Sequence, residues 1–284
     1  MPESAGTLYI VATPIGNLED LSPRAREILG SVDAVLCEDT RHTGLMFARL
    51  GISSQRISLH EHNETARAAI AIDRLRAGQN LALVSDAGTP LISDPGYRLV
   101  AAAREAGLSV SPIPGPCAAI AALSVAGLAT DRFCFEGFLP ARSAARRKRL
   151  GQLQEEARTL IFYESGRRIA DTLTDMVAVL GADRPATLAR ELTKTFESTY
   201  RGSLEALQQQ AADDADISRG ELVLVVAGNA EVARRSAPPG LEQLVAMLVR
   251  ELPASKAARL AAAITGCSRA TAYDLASKMD RKQS

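Results

Sequence analysis

The stretch Leu81-Ala82-Leu83-Val84-Ser85-Asp86-Ala87-Gly88-Thr89-Pro90-Leu91-Ile92-Ser93-Asp94-Pro95-Gly96 decides the fold class of this chain. It opens as an apolar run of strand length, turns into a loop rich in glycine and proline, and runs into a helix-like segment, Tyr97 to Glu105. Glycine lets a backbone approach a ligand closely, and proline fixes the chain where it does so. A loop of this kind leaving a buried strand is where an α/β protein places a binding site. Taken alone, the pattern also suits a tight strand-to-helix connection.

The same alternation extends outward on both sides. Thr7–Ala12, Ala34–Cys37, Arg56–Leu59 and Ser109–Ile113 read as further short strands. Helical stretches at Pro23–Leu29, Thr43–Leu50, Glu64–Ala77, Tyr97–Ala106 and Ala118–Ala126 separate or follow them, with Ser22 placed to cap the first. This rhythm predicts a largely parallel sheet covered by helices. A second round begins near Arg132, with strands expected at Phe133–Glu136, Thr159–Tyr163, Ala186–Arg190, Ser198–Arg201 and Glu221–Ala227. Helices are expected at Ala144–Glu156, Arg168–Leu180 and Leu204–Ala211. The close spacing of strands between Ala186 and Arg201 suggests a hairpin, and therefore a mixed second sheet.

The expectation is two α/β domains, residues 1–120 and 121–234, packed closely enough to share a cleft. A polar break, Arg234-Arg235-Ser236-Ala237-Pro238-Pro239, introduces a helical tail over residues 235–284. Its helices are expected at Leu241–Glu251, Ser255–Thr265 and Ser268–Met279. The last two are joined by Thr265-Gly266-Cys267-Ser268, a turn that suits a helix-turn-helix and equally any two packed helices.

Lys and Arg number 33 against 33 Asp and Glu, so the chain is not coated in basic charge. A local phosphate-binding patch remains open at Arg142, Arg146, Arg147, Lys148 and Arg149, although such a run is often only a solvated helix face. No apolar run approaches the roughly 20 residues that span a bilayer, and Met1 to Gly6 lacks the pattern of a secretory leader. Cys37, Cys117, Cys134 and Cys267 make no C-x-x-C pair. A reduced, cytoplasmic protein without membrane association is expected.

Several clusters fall at or just after expected strand ends: Thr13-Pro14-Ile15-Gly16-Asn17-Leu18-Glu19-Asp20, Glu38-Asp39-Thr40-Arg41-His42, the Ser85–Gly96 loop, Pro112-Ile113-Pro114-Gly115-Pro116-Cys117-Ala118-Ala119, Tyr163-Glu164-Ser165 and Ala189-Arg190-Glu191-Leu192-Thr193-Lys194. Carboxyl ends of parallel strands lie along one sheet edge, so glycine turns, carboxylates and an arginine can converge there on a ligand. The glycine fingerprints of dinucleotide-binding folds and P-loops do not occur. His60-Glu61-His62 lacks an evident third ligand, so no metal is expected. Cys117 suits a small residue lining a ligand better than a nucleophile.

In this order, the clusters closely resemble those of the tetrapyrrole-methylase-like, class III S-adenosylmethionine methyltransferases. More narrowly, they are similar to the branch that 2′-O-methylates a cytidine in bacterial 16S ribosomal RNA. The likeness spans nearly the whole chain, the tail included, and its weight lies in six motifs occurring in register. It implies S-adenosylmethionine held between two α/β domains. By position, it assigns cofactor contacts to Pro14, Ala87, Gly88, Thr89, Ile92, Cys117, Ala118, Tyr163, Ala189, Gly220, Glu221 and Leu222. The chemistry it implies is in-line transfer from a sulfonium to a ribose 2′-hydroxyl, for which the protein must position the reactants and offer a proton acceptor. Asp39 is the favoured acceptor, with Glu38 and Asp86 as alternatives. Arg41 would fix that carboxylate or grip a phosphate, although Glu38 and Arg41 could also form an ordinary ion pair. The Arg142–Arg149 cluster, with Arg190 and Lys194, would contact phosphates of the 16S rRNA within the small ribosomal subunit. A homodimer is expected from the resemblance.

Two rival readings share these features. Methylation of a tetrapyrrole carbon would need a large, open apolar cleft and would leave the arginine cluster idle. A non-catalytic RNA-binding assembly factor would keep the pocket only as structure. A third and weaker idea makes the helical tail a transcription regulator.

Overall fold

The computed structural model describes residues 5–60, 62–232 and 240–280. The break expected at Arg234–Pro239 lies outside the described residues, as does Glu61. Residues 1–229 form one compact unit and residues 230–284 another.

The first sheet joins β1 (Thr7–Val11), β2 (Ala34–Cys37), β3 (Arg56–Ser58), β4 (Leu81–Leu83) and β5 (Ser109–Ile113). All its pairings are parallel, in the order β3-β2-β4-β1-β5. Both faces are covered, which explains why β2 and β4 are apolar at every position. Side chains alternate between two cores. Leu8, Leu36, Leu81 and Leu83 pack under α3 (Glu64–Arg76) and α4 (Tyr97–Glu105). Val11, Val35, Ala82 and Val84 pack under α1 (Pro23–Ser31) and α2 (Thr40–Leu50). Each large side chain so buried contributes about 1.5–3 kcal/mol.

Chain direction makes the site. The crossover from β2 to β3 carries α2 over one face, and the crossover from β4 to β5 carries α4 over the other. The neighbouring strands β2 and β4 therefore send their connections apart, and a crevice opens outside their carboxyl ends. Helix α2 starts at Thr40, earlier than the apolar pattern predicts. The Asp39 carboxylate accepts from the backbone N–H groups of Arg41 and His42 at 2.8 and 3.4 Å and supplies the missing cap.

The second sheet holds β6 (Phe133–Phe138), β7 (Thr159–Ser165), β8 (Pro185–Arg190), β9 (Ser198–Ser203) and β10 (Glu221–Val226) in the order β6-β7-β10-β8-β9. β6 and β7 run parallel, while β10 pairs antiparallel with β7 and β8, and β8 and β9 form the expected hairpin. α6 (Ser143–Gln152), α7 (Gly166–Leu180) and α8 (Leu204–Asp213) share a core with Leu160, Phe162, Leu188 and Leu224. The opposite face, through Ile161, Ala189, Val223 and Val225, receives Ala119, Ala122 and Leu123 of α5 (Ala118–Val125). Helix α5 straddles the division expected at residue 120 and packs on the second sheet.

The unit at the C-terminal end contains α9 (Leu241–Val249), α10 (Ala254–Thr265) and α11 (Arg269–Asp280). Its core is rich in alanine: Leu244, Val245 and Val249 meet Ala257, Ala261, Ala272 and Ala276. No helix among the described residues is long and apolar enough to cross a membrane.

The arginine cluster on α6 is not a uniform cationic face. Within the run expected at the RNA, Arg146 has a side chain that is only 3% exposed. Its Nε donates to Asp175 Oδ2 at 2.7 Å and its guanidinium also donates to the Ala141 carbonyl. Asp175 accepts from Arg147 and Ser143 as well, and Arg149 pairs with Glu136. Burial pushes the Asp175 carboxyl up, but the bonds from Arg147, Ser143 and Arg146 outweigh it and hold it below its ordinary range. Arg142 and Lys148 are exposed. Asp175→Ala would strand the buried Arg146 charge and is expected to cost about 3–5 kcal/mol of unfolding free energy, read from a urea transition. Arg147→Ala, with a half-exposed side chain, should cost about 1 kcal/mol or less. Equally small losses would show that Arg146 is solvated.

Candidate functional site

The Ser85–Gly96 loop is held from three sides. At its start, Thr13 and Gly88 exchange backbone hydrogen bonds of 2.8 and 3.1 Å, so the exit of β1 is laced to the exit of β4. The Thr13 hydroxyl donates to the Ser85 carbonyl, and the Thr89 hydroxyl donates to the Pro116 carbonyl at 2.9 Å. At its end, the buried Glu64 of α3 accepts from the N–H groups of Gly96 and Arg98 at 3.1 and 2.7 Å, capping α4 from a neighbouring helix. Gly88 has φ +81°, and a Cβ there would meet Ile15 at 3.2 Å. Leu91 and Ser93 also adopt positive φ, 72° and 68°, a strain tolerated where surroundings overdetermine the backbone.

The second sheet supplies the opposite wall. The Tyr163 hydroxyl at the end of β7 accepts from the Ala119 N–H at 3.2 Å, satisfying an open donor of α5. Its ring meets Phe135 and Phe138 edge-on at 4.9 and 5.6 Å. Burial, and then the neighbouring Cys117, push the Tyr163 hydroxyl pKa well up, so it stays protonated. Glu164 is buried but accepts from Ser165 N–H and the Thr172 hydroxyl and forms an ion pair with Arg168. Lys194 Nζ lies 2.9 Å from both Glu191 and Glu221. Gly220 has φ +81°, and a Cβ there would strike Glu191 at 2.5 Å, so the turn into β10 admits only glycine without rearrangement.

Between these walls lies a cavity of about 410 Å³, within the range of small-molecule sites. Of the residues expected to hold a cofactor, Ala87, Gly88, Thr89, Ala118, Tyr163, Ala189, Glu221 and Leu222 line it. Pro14 is buried directly before the lining residue Ile15, and Cys117 caps α5 directly before Ala118. Gly220 precedes Glu221, and Ile92 sits half-buried within the same loop. Lys194, expected at the RNA, lines the cavity instead. Arg190, also expected at the RNA, is buried, and its guanidinium donates to the carbonyls of Arg219 and Phe196 at 3.1 and 2.8 Å. Those bonds commit it to the protein's own backbone.

The acidic candidates divide. Asp86 lines the cavity and accepts from the Asp39 N–H at 3.3 Å. Glu38, Asp39 and Arg41 lie at the end of β2, outside the lining. The Arg41 guanidinium grips Asp39 with two bonds of 3.2 and 2.8 Å and, with the α2 cap, holds its carboxyl far below the usual range. Burial and the adjacent Asp86 push Glu38 up. Sequence reasoning passed over Asp94, Phe138 and Leu192, all in the lining. Asp94 carried a usable signal, since it shares the decisive loop with Asp86. Burial pushes its carboxyl up to about 6, with Glu38 and Asp86 adding to the rise and the Ser85 hydroxyl opposing it. Among the described residues, neither Asp86 nor Asp94 forms an ion pair with Lys or Arg. Their carboxylates, facing apolar Ile15, Ala118, Phe138 and Leu222, suit a ligand with a cationic centre and a large apolar body.

A sequence model described as Tetrapyrrole (Corrin/Porphyrin) Methylases matches residues 7–208, and another, the RsmI C-terminal HTH domain, matches residues 236–280. The chain is 54% identical over 268 residues to the "Ribosomal RNA small subunit methyltransferase I" of Xylella fastidiosa (strain Temecula1 / ATCC 700964), covering 94% of this chain and 98% of that protein. It is 52% identical over 273 residues to the protein of the same name from Escherichia coli O157:H7, covering 96% and 95%. Among solved structures, diphthine synthase matches with a TM-score of 0.59 at 17% identity, over 82% of this chain and 96% of that one. Uroporphyrin-III C-methyltransferase from Thermus thermophilus, solved with S-adenosylhomocysteine, matches with a TM-score of 0.56 at 18% identity, over 81% and 100%. These structural likenesses speak for the fold, whereas the sequence relatives run through the cavity loops and the tail alike. The chain belongs to the tetrapyrrole methylase family of methyltransferases, in the branch of the small-subunit ribosomal RNA enzymes.

Proposed function

We propose that this methyltransferase transfers the methyl group of S-adenosylmethionine to the ribose 2′-hydroxyl of a cytidine in the decoding region of bacterial 16S rRNA. The observation that carries this reading is identity of about half over nearly the full length of rRNA methyltransferases, tail included. The solved uroporphyrin-III and cobalt precorrin-4 methyltransferases are only 16–20% identical to this chain. The substrate is the cytidine as presented by the small subunit, because a protein of zero net charge selects RNA by shape more than by general electrostatic attraction. The enzyme acts in the cytoplasm as a homodimer, a reading supported by the apolar Ile120 and Val125 left exposed on α5.

S-adenosylmethionine supplies an electrophilic methyl group on a positively charged sulfur. The chain's own part is to hold, orient and desolvate. Gly88 and Ala87 bring bare backbone to the ligand, and Tyr163, Ala189 and Leu222 form the opposing wall. Pro14, Ile92, Cys117 and Gly220 keep the lining loops in place. Asp86 and Asp94 complement the positive charge from half-buried positions, where that attraction is stronger than in open water.

The carbon–sulfur bond would break as the 2′-oxygen bonds to the methyl carbon, leaving the electron pair on a neutral sulfur, and a carboxylate of the chain would take the hydroxyl proton. Asp94 is the proton acceptor, because it faces the cavity and has an affinity for protons suited to neutral pH. Asp86 assists by its charge. Asp39, committed to Arg41 and to the α2 cap, positions Arg41, whose side chain is 90% exposed, to take a phosphate in a forked contact.

Incubation with labelled S-adenosylmethionine and small subunits from cells lacking their own enzyme is expected to place one methyl on a 2′-oxygen in the decoding region. In sedimentation, the same preparation should run at a dimer's mass. Cofactor binding without transfer to a competent subunit would sink the proposal.

Arg41→Ala should raise KM for subunits by about tenfold and leave cofactor affinity unchanged, as loss of one charged phosphate contact does. Asp94→Asn should lower turnover by about 10²–10⁴ and abolish a rise in kcat/KM through pH 6. The same variant should be more stable than the parent at pH 8. A carboxyl raised from 3.8 to about 6 is costly to fold once ionised, by at most about 3 kcal/mol. That advantage should shrink as pH falls through 6 and vanish below 4, as thermal melts at several pH values would reveal. An unaltered turnover would reassign the proton to Asp86.

A further inference from the structure

The chemistry of the cavity leaves the three-helix tail without a task. Between α10 and the first turn of α11 lies a groove of about 360 Å³, lined by Ser255, Ala258, Arg259, Arg269, Ala270 and Tyr273. No acidic side chain lines it. Arg259 and Arg269 are exposed, and among the described residues neither forms an ion pair. Farther along α11, by contrast, Lys278 is paired with Asp274 at 3.3 Å. The same contrast holds against α6, where Arg146 and Arg147 are tied to Asp175 and Arg149 to Glu136. Uncommitted guanidinium groups are therefore found in the tail, whereas in the α6 run three of the four arginines are tied to carboxylates and Arg142 is exposed.

The groove also carries an aromatic ring. Tyr273 is 52% exposed, while Ala272 beside it is fully buried. The helix thus anchors itself through alanine and leaves the tyrosine outside the tail's core. Two unpaired guanidinium groups with an exposed ring between walls of small residues are the elements of a single-stranded nucleic acid site: forks for phosphates and a platform for a base.

We propose that this groove binds the sugar-phosphate backbone of single-stranded or irregular RNA, Arg259 and Arg269 each holding a phosphate and Tyr273 stacking on a base. Given the methyl-transfer reading above, on which the identity of the RNA rests, the ligand is a segment of the 16S rRNA. RNA is favoured over duplex DNA because an exposed ring has no stacked base to accept in a closed helix, whereas unpaired RNA offers one.

The test uses the full chain without cofactor. A fluorescent 16S rRNA fragment spanning the decoding region, and separately a random duplex DNA, are titrated at several salt concentrations. Arg259→Glu/Arg269→Glu is expected to weaken RNA binding at least tenfold and to flatten the salt dependence by about 1.4 in log–log slope, for two phosphates lost. Tyr273→Ala should weaken it roughly 5- to 100-fold with the slope kept, and Tyr273→Phe should restore it. In methyl-transfer assays, these variants should raise KM for the subunit with kcat and cofactor affinity unchanged, and circular dichroism should match the parent.

Unchanged RNA affinity and slope in the folded variants would overturn the proposal, as would a loss confined to duplex DNA. A parent that binds RNA through this groove but transfers no methyl would sink the catalytic reading and leave the groove standing. Normal transfer with insensitive binding would do the reverse.

Discussion

The site depends on a pair of backbone hydrogen bonds between Thr13 and Gly88. Two adjacent parallel strands normally release their chains independently once the ladder ends. Here the exits of β1 and β4 stay laced for one more step, and the long glycine- and proline-bearing loop springs from a fixed point. Glu64 fixes its other end through the first turn of α4. A loop pinned at both ends can carry left-handed residues such as Leu91 and Ser93 in its middle, because no relaxed alternative fits the same span.

Topology then decides which chemistry can gather at that loop. The crevice between β2 and β4 brings Glu38, Asp39, Asp86 and Asp94 toward one another, and like charges in partial burial must separate in proton affinity. The helix cap and Arg41 pull Asp39 one way, while burial pushes Asp94 the other. One acidic cluster thereby contains a member held far below the usual carboxylate range and a member pushed up to about 6.

Much of this was legible beforehand. The strand runs at Ala34–Cys37 and Ser109–Ile113 match the structure to the residue; the first is buried throughout and leaves an uninterrupted apolar signature, whereas the second is an edge strand in which only Ile113 is buried. The clustering of turns at one sheet edge also followed from chain direction. What was hidden depended on partners remote in sequence. The arginine run on α6 reads as a cationic face until Asp175, from the next helix, turns inward to neutralise it. Arg190 looks like a phosphate ligand until the carbonyls of Phe196 and Arg219 close around it. Asp94 escaped notice because its raised proton affinity comes from burial, which no local pattern encodes.

The packing of α5 has a consequence for the making of the molecule. This helix follows directly on the first sheet, yet its partners Ile161, Ala189, Val223 and Val225 arrive up to about a hundred residues later. During synthesis, which delivers the chain from its N-terminal end, the first sheet can assemble while α5 waits with its alanine face bare. The Ala119 N–H has no Tyr163 hydroxyl to meet until β7 has emerged. The far wall is complete only once β10 is in place. A nascent chain therefore acquires its pocket late, and until β10 has emerged it has no complete site with which to take up cofactor.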